Sequence, residues 1–117
     1  MAFGEALGDK KGITRFGSSS VPMDEALANC AIDISGRGML VFNAEIPLNT
    51  IGNFTTEMTE EFFRALVHNS GMTLHINVAY GKNTHHIIEG VFKAFGCVFK
   101  EASTVIGEGV ASSKGVL

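Results

Sequence analysis

The sequence predicts a two-layer α+β domain in which a four-stranded sheet packs against two helices. Two segments alternate strictly between apolar and polar residues, and a third does so after a turn, as half-buried strands do. Two longer segments repeat apolar residues at helical spacing. Gly-, Ser- and Asn-containing turns separate these segments at short intervals. The order is β-β-β-α-β-α, which suits one sheet covered on one side by helices.

Each element has its own local reason. "AFGEALGDKKG" reads as the last turns of a helix, with Phe3, Ala6 and Leu7 on one face and Gly8 or Gly12 ending it. A helix so short is marginal alone. "ITRFGSSSVPM" is β-like with a Gly/Ser interruption and Pro22. "LANCAIDISG" points Ala28, Cys30, Ile32 and Ile34 one way and Asn29, Ala31, Asp33 and Ser35 the other. "MLVFNAEI" alternates with Leu40, Phe42, Ala44 and Ile46 as its apolar set. The turn residues Gly36 and Gly38 around Arg37 predict a hairpin between these two strands, one face packed and one open to water or a partner.

"FTTEMTEEFFRALVHNSG" predicts a helix capped by Thr55 or Thr56, with Glu57, Glu60 and Glu61 at its positive end. Its apolar stripe is Met58, Phe62, Leu66, Phe63 and Val67, and Ser70-Gly71 closes it. "MTLHINVAYG" is a strand with Leu74, Ile76, Val78 and Tyr80 inward. A second helix, capped by Asn83 or Thr84, runs to about Ser103 with Ile88, Phe92, Phe95 and Phe99 as its core stripe. "IGEGVASSKGVL" is loop-like.

Composition bounds the function. The chain has 117 residues, enough for one domain that buries roughly two-thirds of its unfolded surface. Apolar residues make up 45% and charged residues 18%, which argues against disorder. The net charge of −3 and the lack of a basic block argue against nucleic acid. Cys30 and Cys97, isolated in apolar settings, read as small buried hydrophobes. No apolar run approaches about 18 residues and the start is too polar for a signal peptide, so a soluble cytoplasmic protein is expected, with no membrane partner.

The chemistry concentrates in "GKNTHHIIEGVFK". On a helix His85 and Glu89 are four apart and His86 and Glu89 three apart, so all can approach one side. Adjacent histidines splay by about 100°, so one turn can offer His85 to one ion and His86 to another. Histidine with carboxylate suits Mn, Fe, Zn or Ni, the harder ions being favoured where no thiolate joins. Two solvated histidines near a cap are the plainer reading. Lys93 is either an i,i+4 partner of Glu89 or a cation for phosphate. Glu61 reads as a dipole-favourable surface carboxylate, and His68 and His75 as surface residues. Arg15, Arg37 and Lys114 are separated cations in polar loops, and Ser112, Ser113 and Lys114 form a plausible phosphate cradle. In "PMDE", Asp24 and Glu25 are turn carboxylates, or a general acid or base.

Taken together, "GDKKGITRFG", "VPMDEAL", "DISGR", "EEFFRAL", "TLHI", "GKNTHHIIE", "FKAF" and "SSKGVL", in this order, resemble the C-terminal part of imidazoleglycerol-phosphate dehydratase. The resemblance runs from about Phe3 to Leu117. It implies one half of a duplicated, ribosomal-protein-S5-domain-2-like fold, with residues 1–12 a remnant of a preceding helix and 13–117 the C-terminal half-domain. It implies a manganese-dependent hydro-lyase of histidine biosynthesis, acting on a small phosphorylated imidazole. It further implies a homo-oligomer with sites between subunits.

Carried over residue by residue, the metal set falls on Glu61, His85, His86 and Glu89, with Glu61 standing where many family members carry histidine. The phosphate set falls on Arg15, Arg37, Lys93, Ser112, Ser113 and Lys114, and the catalytic carboxylates on Glu89 and Asp24. Ala111 replaces a proline before the final Ser-rich cradle. The family's first half carries its own His-His-x-x-Glu motif, and His85-His86 is the only adjacent pair in this sequence. A fragment, a truncated form or a half that assembles with another half is therefore expected. The alternative function is a catalytically incomplete metal-binding half-domain that self-assembles.

Overall fold

A computed structural model describes residues 13–46, 50–51 and 54–104. Strands β1 (Phe16–Met23), β2 (Ala26–Asp33) and β3 (Met39–Asn43) come first, followed by two short strands, β4 (Thr50–Ile51) and β5 (Phe54–Thr55). Helix α1 (Thr56–Ser70), strand β6 (Thr73–Tyr80) and helix α2 (Thr84–Ala102) complete the described chain. The main sheet has the order β1-β2-β6-β3, and β4 and β5 form a separate ribbon. The β1–β2 and β2–β6 pairs are antiparallel, whereas β3 and β6 run parallel. The expected two-layer α+β architecture is present. Residues 1–12 and the Ser112–Lys114 cradle lie outside the described residues.

The hairpin expected around Arg37 does not form. β6 lies between β2 and β3, and the tight hairpin is β1–β2, where Met23 faces Ala26 across Asp24-Glu25. β6 carries the fully buried Leu74 and Ile76, so a central seat with a ladder on each edge is its natural place. Its parallel pairing with β3 needs a long crossover, which α1 provides. Backbone bonds then fasten the 34–38 loop to the end of α1, Gly36 N–H to the Gly71 carbonyl at 2.7 Å and Met39 N–H to the Met72 carbonyl at 3.1 Å. Gly71 closes α1 with φ +74, a left-handed angle that glycine takes without steric cost. The expected interruption in the first strand is also absent, since β1 runs unbroken through Ser18, Ser19 and Ser20.

The core joins Ala28, Cys30 and Ile32 of β2, Leu74 and Ile76 of β6, Phe63 and Val67 of α1, and Val91, Ala94 and Val98 of α2. Both helical stripes are met in part, with Ile88 on α2 and Phe63 and Val67 on α1 buried as expected. On α2 the buried line is Ile87, Val91, Ala94, Val98 and Ala102, while Phe92, Phe95 and Phe99 flank it. The sheet-facing side holds aliphatic residues without rings, with Gly17 of β1 close against Val98, and the phenyl rings pack against Phe63 of α1 instead. The Phe63 ring lies 5.0 Å from Phe92, tilted, and 5.4 Å from Phe95, edge-on. On α1, Thr59, Phe63 and Val67 are buried, and Met58 and Phe62 stay half exposed.

Two smaller expectations are corrected. Tyr80 is 63% exposed, because a register shift between Leu27 and Ala28 pairs Leu27 with Tyr80 and turns that side chain outward. Cys30 is buried, and burial pushes its thiol up to about 12, but Cys97 is exposed. The sheet face away from the helices is mixed, with polar side chains on β1, β2 and β6 and the exposed Met39 and Val41 on β3. A shallow groove of about 500 Å³ there is lined by Ser18, Ser20, Asn29, His75 and Asn77. No helix among the described residues is long and apolar enough to cross a membrane.

Candidate active site

Helix α2 begins at the end of the sheet where the β1–β2 hairpin turns. Asn83 caps it, its side-chain oxygen accepting the His86 N–H at 3.0 Å. This cap sets the rotation of the first turn and sends the two imidazoles apart, with ring centroids 6.3 Å apart and planes at 67°. His85 Nε2 lies 3.1 Å from Glu89 Oε1. His86 turns toward the hairpin, where Nδ1 lies 2.6 Å from Glu25 Oε1 and Nε2 lies 3.2 Å from Asp24 Oδ2. Lys93 Nζ sits 3.2 Å from Glu89 Oε2, the i,i+4 pair the spacing allowed.

Electrostatics follow from these contacts. Backbone N–H groups of Asn83 and Lys82, at 2.7 and 2.9 Å, and the His86 ring hold Glu25 down at about 2. Its hydrogen bond to Glu25 holds the His86 imidazole above its ordinary value, with the charges of Glu25, Asp24 and Glu89 adding to this. The Lys93 hydrogen bond, followed by the charges of Lys93 and His85, lowers Glu89. The cluster is therefore anionic carboxylate around imidazole, open to solvent on its outer side.

The other candidates lie elsewhere. Arg15 stands at the entry to β1 and pairs with Asp33 at 2.7 Å, and that hydrogen bond raises its guanidinium. Arg37 lies in the 34–38 loop, where its N–H donates to Ser35 Oγ and its carbonyl accepts from Thr73 Oγ1. Both arginines thus flank the Asp33–Thr73 end of the sheet, and the histidines flank the Ala26–Tyr80 end. Glu61 is exposed on α1, and its side chain makes no hydrogen bond or ion pair with a described residue. Among the described residues no group of three or more His, Cys, Asp or Glu side chains is gathered as an ion would need. Arg15 (φ 76) and Asp24 (φ 54) are the non-glycine residues with positive φ among those described, and both are candidate site residues.

Sequence reasoning offered Glu25 as a turn carboxylate or a general acid or base, without a partner. Its contacts are with residues 57 to 61 positions away, and nothing in a turn carboxylate signals such a partner.

The fold and this helix turn define a two-layer α+β protein that displays histidine and carboxylate donors at one sheet end and two arginines at the other. The sequence profile of imidazoleglycerol-phosphate dehydratase matches residues 1–99. Imidazoleglycerol-phosphate dehydratase of Lactococcus lactis subsp. cremoris is 60% identical over 97% of this chain and 58% of its own length. That of Listeria welshimeri is 58% identical, over 97% and 59%. The crystal structure of the Staphylococcus aureus enzyme superposes with a TM-score of 0.83 at 48% identity, covering 86% of this chain and 59% of that one. The Pyrococcus furiosus enzyme gives 0.79 at 37% identity, covering 97% and 65%. The chain belongs to the imidazoleglycerol-phosphate dehydratase family. It spans somewhat more than half the length of the relatives it matches.

Proposed function

We propose that this chain provides one half of a dehydratase site that converts imidazole glycerol phosphate to imidazole acetol phosphate and water, within histidine biosynthesis in the cytoplasm. The observation that carries this reading is the splayed pair on one helix turn, His85 beside Glu89 and His86 beside Asp24. Nitrogen and carboxylate oxygen donors without thiolate suit manganese. His85, His86 and Glu89 would hold such ions, with Glu61 brought in from another copy. A bound divalent ion would polarise the substrate's imidazole ring. Glu89 and Asp24 would accept or return a proton there.

The phosphate set supports a site built between subunits. Ala26 and Asp33 mark opposite ends of β2, roughly 23 Å apart at about 3.3 Å per residue. That is much longer than an imidazole ring, a three-carbon chain and a phosphate laid end to end. Arg15 and Arg37 would therefore serve a histidine cluster of another copy in a homo-oligomer. Lys93, one turn beyond Glu89, is the cation near the cluster of its own chain. Ser112, Ser113 and Lys114 would complete the phosphate cradle.

The test is a dehydratase assay on the purified chain with Mn²⁺ and after chelation. Turnover that disappears with the metal, and that falls by about 10² or more in Glu89→Gln, is the expected result. The second reading is a self-assembling metal-binding half-domain without turnover. Mn²⁺ bound at stoichiometric levels with no turnover would decide for it.

A further inference from the structure

We infer that Glu25 is a positioning residue that fixes which nitrogen of His86 is free to act. Glu25 sits at the β1–β2 hairpin tip, yet its carboxylate is occupied by the start of α2. One oxygen, Oε2, accepts the N–H groups of Lys82 and Asn83 at 2.9 and 2.7 Å. The other, Oε1, lies 2.6 Å from His86 Nδ1. An ionised carboxylate can only accept, so the proton on this contact belongs to Nδ1. In the neutral ring the lone pair then resides on Nε2. Nε2 faces Asp24 at the outer edge of the cluster, 3.2 Å from its Oδ2.

The same side chain thus does two things. It ties the hairpin to the first turn of α2, and it selects the Nδ1–H tautomer. A carboxylate behind an imidazole also raises the basicity of the nitrogen in front. The charged and titratable groups around His86 are Glu25 and Asp24 from the hairpin, and Glu89 and His85 from its own helix. Of these, Glu25 has a contact with Nδ1, and Asp24 stands on the Nε2 side. Both ring nitrogens face a carboxylate, and the shorter contact, 2.6 Å at Nδ1 against 3.2 Å at Nε2, assigns the proton of the neutral ring to Nδ1.

This inference rests on the proposed role of His86, but its test separates the two. The Glu25→Gln variant is informative because an amide oxygen still accepts from Lys82 and Asn83. Its –NH₂ then faces Nδ1 and calls for a lone pair there, moving the ring proton to Nε2. Long-range ¹H–¹⁵N correlation spectra of the full chain, at a pH where His86 is neutral, read the tautomer directly. The wild type is expected to show Nδ1–H and Glu25→Gln to show Nε2–H. Mn²⁺ affinity, followed by the free-ion EPR signal, is expected to fall by about 10- to 100-fold in the variant. Glu25→Asp keeps the carboxylate and should recover part of that loss.

A role confined to tying hairpin to helix would lower the melting temperature and leave the tautomer unchanged. An Nε2–H tautomer in the wild type, or Nδ1–H persisting in a folded Glu25→Gln, overturns the inference. Should Glu25→Gln not fold, the wild-type spectrum alone decides. Failure of the wild-type chain to bind Mn²⁺ would count against the proposed function while the tautomer result still decides the role of Glu25.

Discussion

At the scale of single residues, the hairpin carboxylate Glu25 links the stability of the helix start to pH. Its folded-state value, about 2, is depressed below 4.5, so its contribution is complete above 4.5 and is lost as pH falls toward 2. His86 has the opposite sign. Its raised value means that its contribution is present below about 6.5 and is lost as pH rises through the folded value. Urea midpoints measured from pH 2 to 9 should therefore fall at both limits, and Glu25→Gln should flatten the acid side. Thr59 makes a separate residue-scale prediction. It is fully buried on α1 and its hydroxyl finds no partner among the described residues. Thr59→Val removes that orphaned group at nearly constant shape and should stabilise the chain by about 1 kcal/mol in denaturant unfolding. No sequence pattern marked this threonine, because helical spacing had put Met58 and Phe62 on the inner face.

Elements meet at two tight places, each with a substitution that tests it. Gly17 of β1 passes under α2 so closely that an added Cβ would lie 2.6 Å from the Val98 carbonyl oxygen and 3.2 Å from Glu101 Oε1. Glu101 accepts the neighbouring Ser18 N–H at 3.2 Å, so this contact also anchors β1 to the helix. Gly17→Ala should cost roughly 1–3 kcal/mol, seen as a lowered melting temperature. At the other end of α2, Asn83→Ala removes the cap on His86 N–H and should cost about 1 kcal/mol. The cap was legible from local sequence, since Asn83 precedes a helical apolar pattern. The approach at Gly17 was not, because it depends on residue 98, which only the packing of α2 onto β1 brings near.

Over the whole molecule, the decisive fact is that the histidines start at one sheet end, and Arg15 and Arg37 sit at the other. If sites form between copies, Arg37→Ala and His86→Ala should each be inactive as homogeneous preparations. Mixed and reassembled, they should regain part of the activity, and an assay of the mixture against each parent checks this. The sequence by itself determined the α+β class, the approximate positions of the main strands and of both helices, and a cap at Asn83 or Thr84, because alternation, helical spacing and turn chemistry are local. It also placed His85 with Glu89 and Glu89 with Lys93, pairs fixed by the pitch of one helix. Only the tertiary structure decided that β6 enters between β2 and β3, since strand order depends on which apolar face gains most from a central seat. It alone brought Glu25 and Asp24 onto His86, and it paired Arg15 with Asp33. These contacts close over 18 to 62 residues of chain, and no local periodicity encodes a partner at that distance.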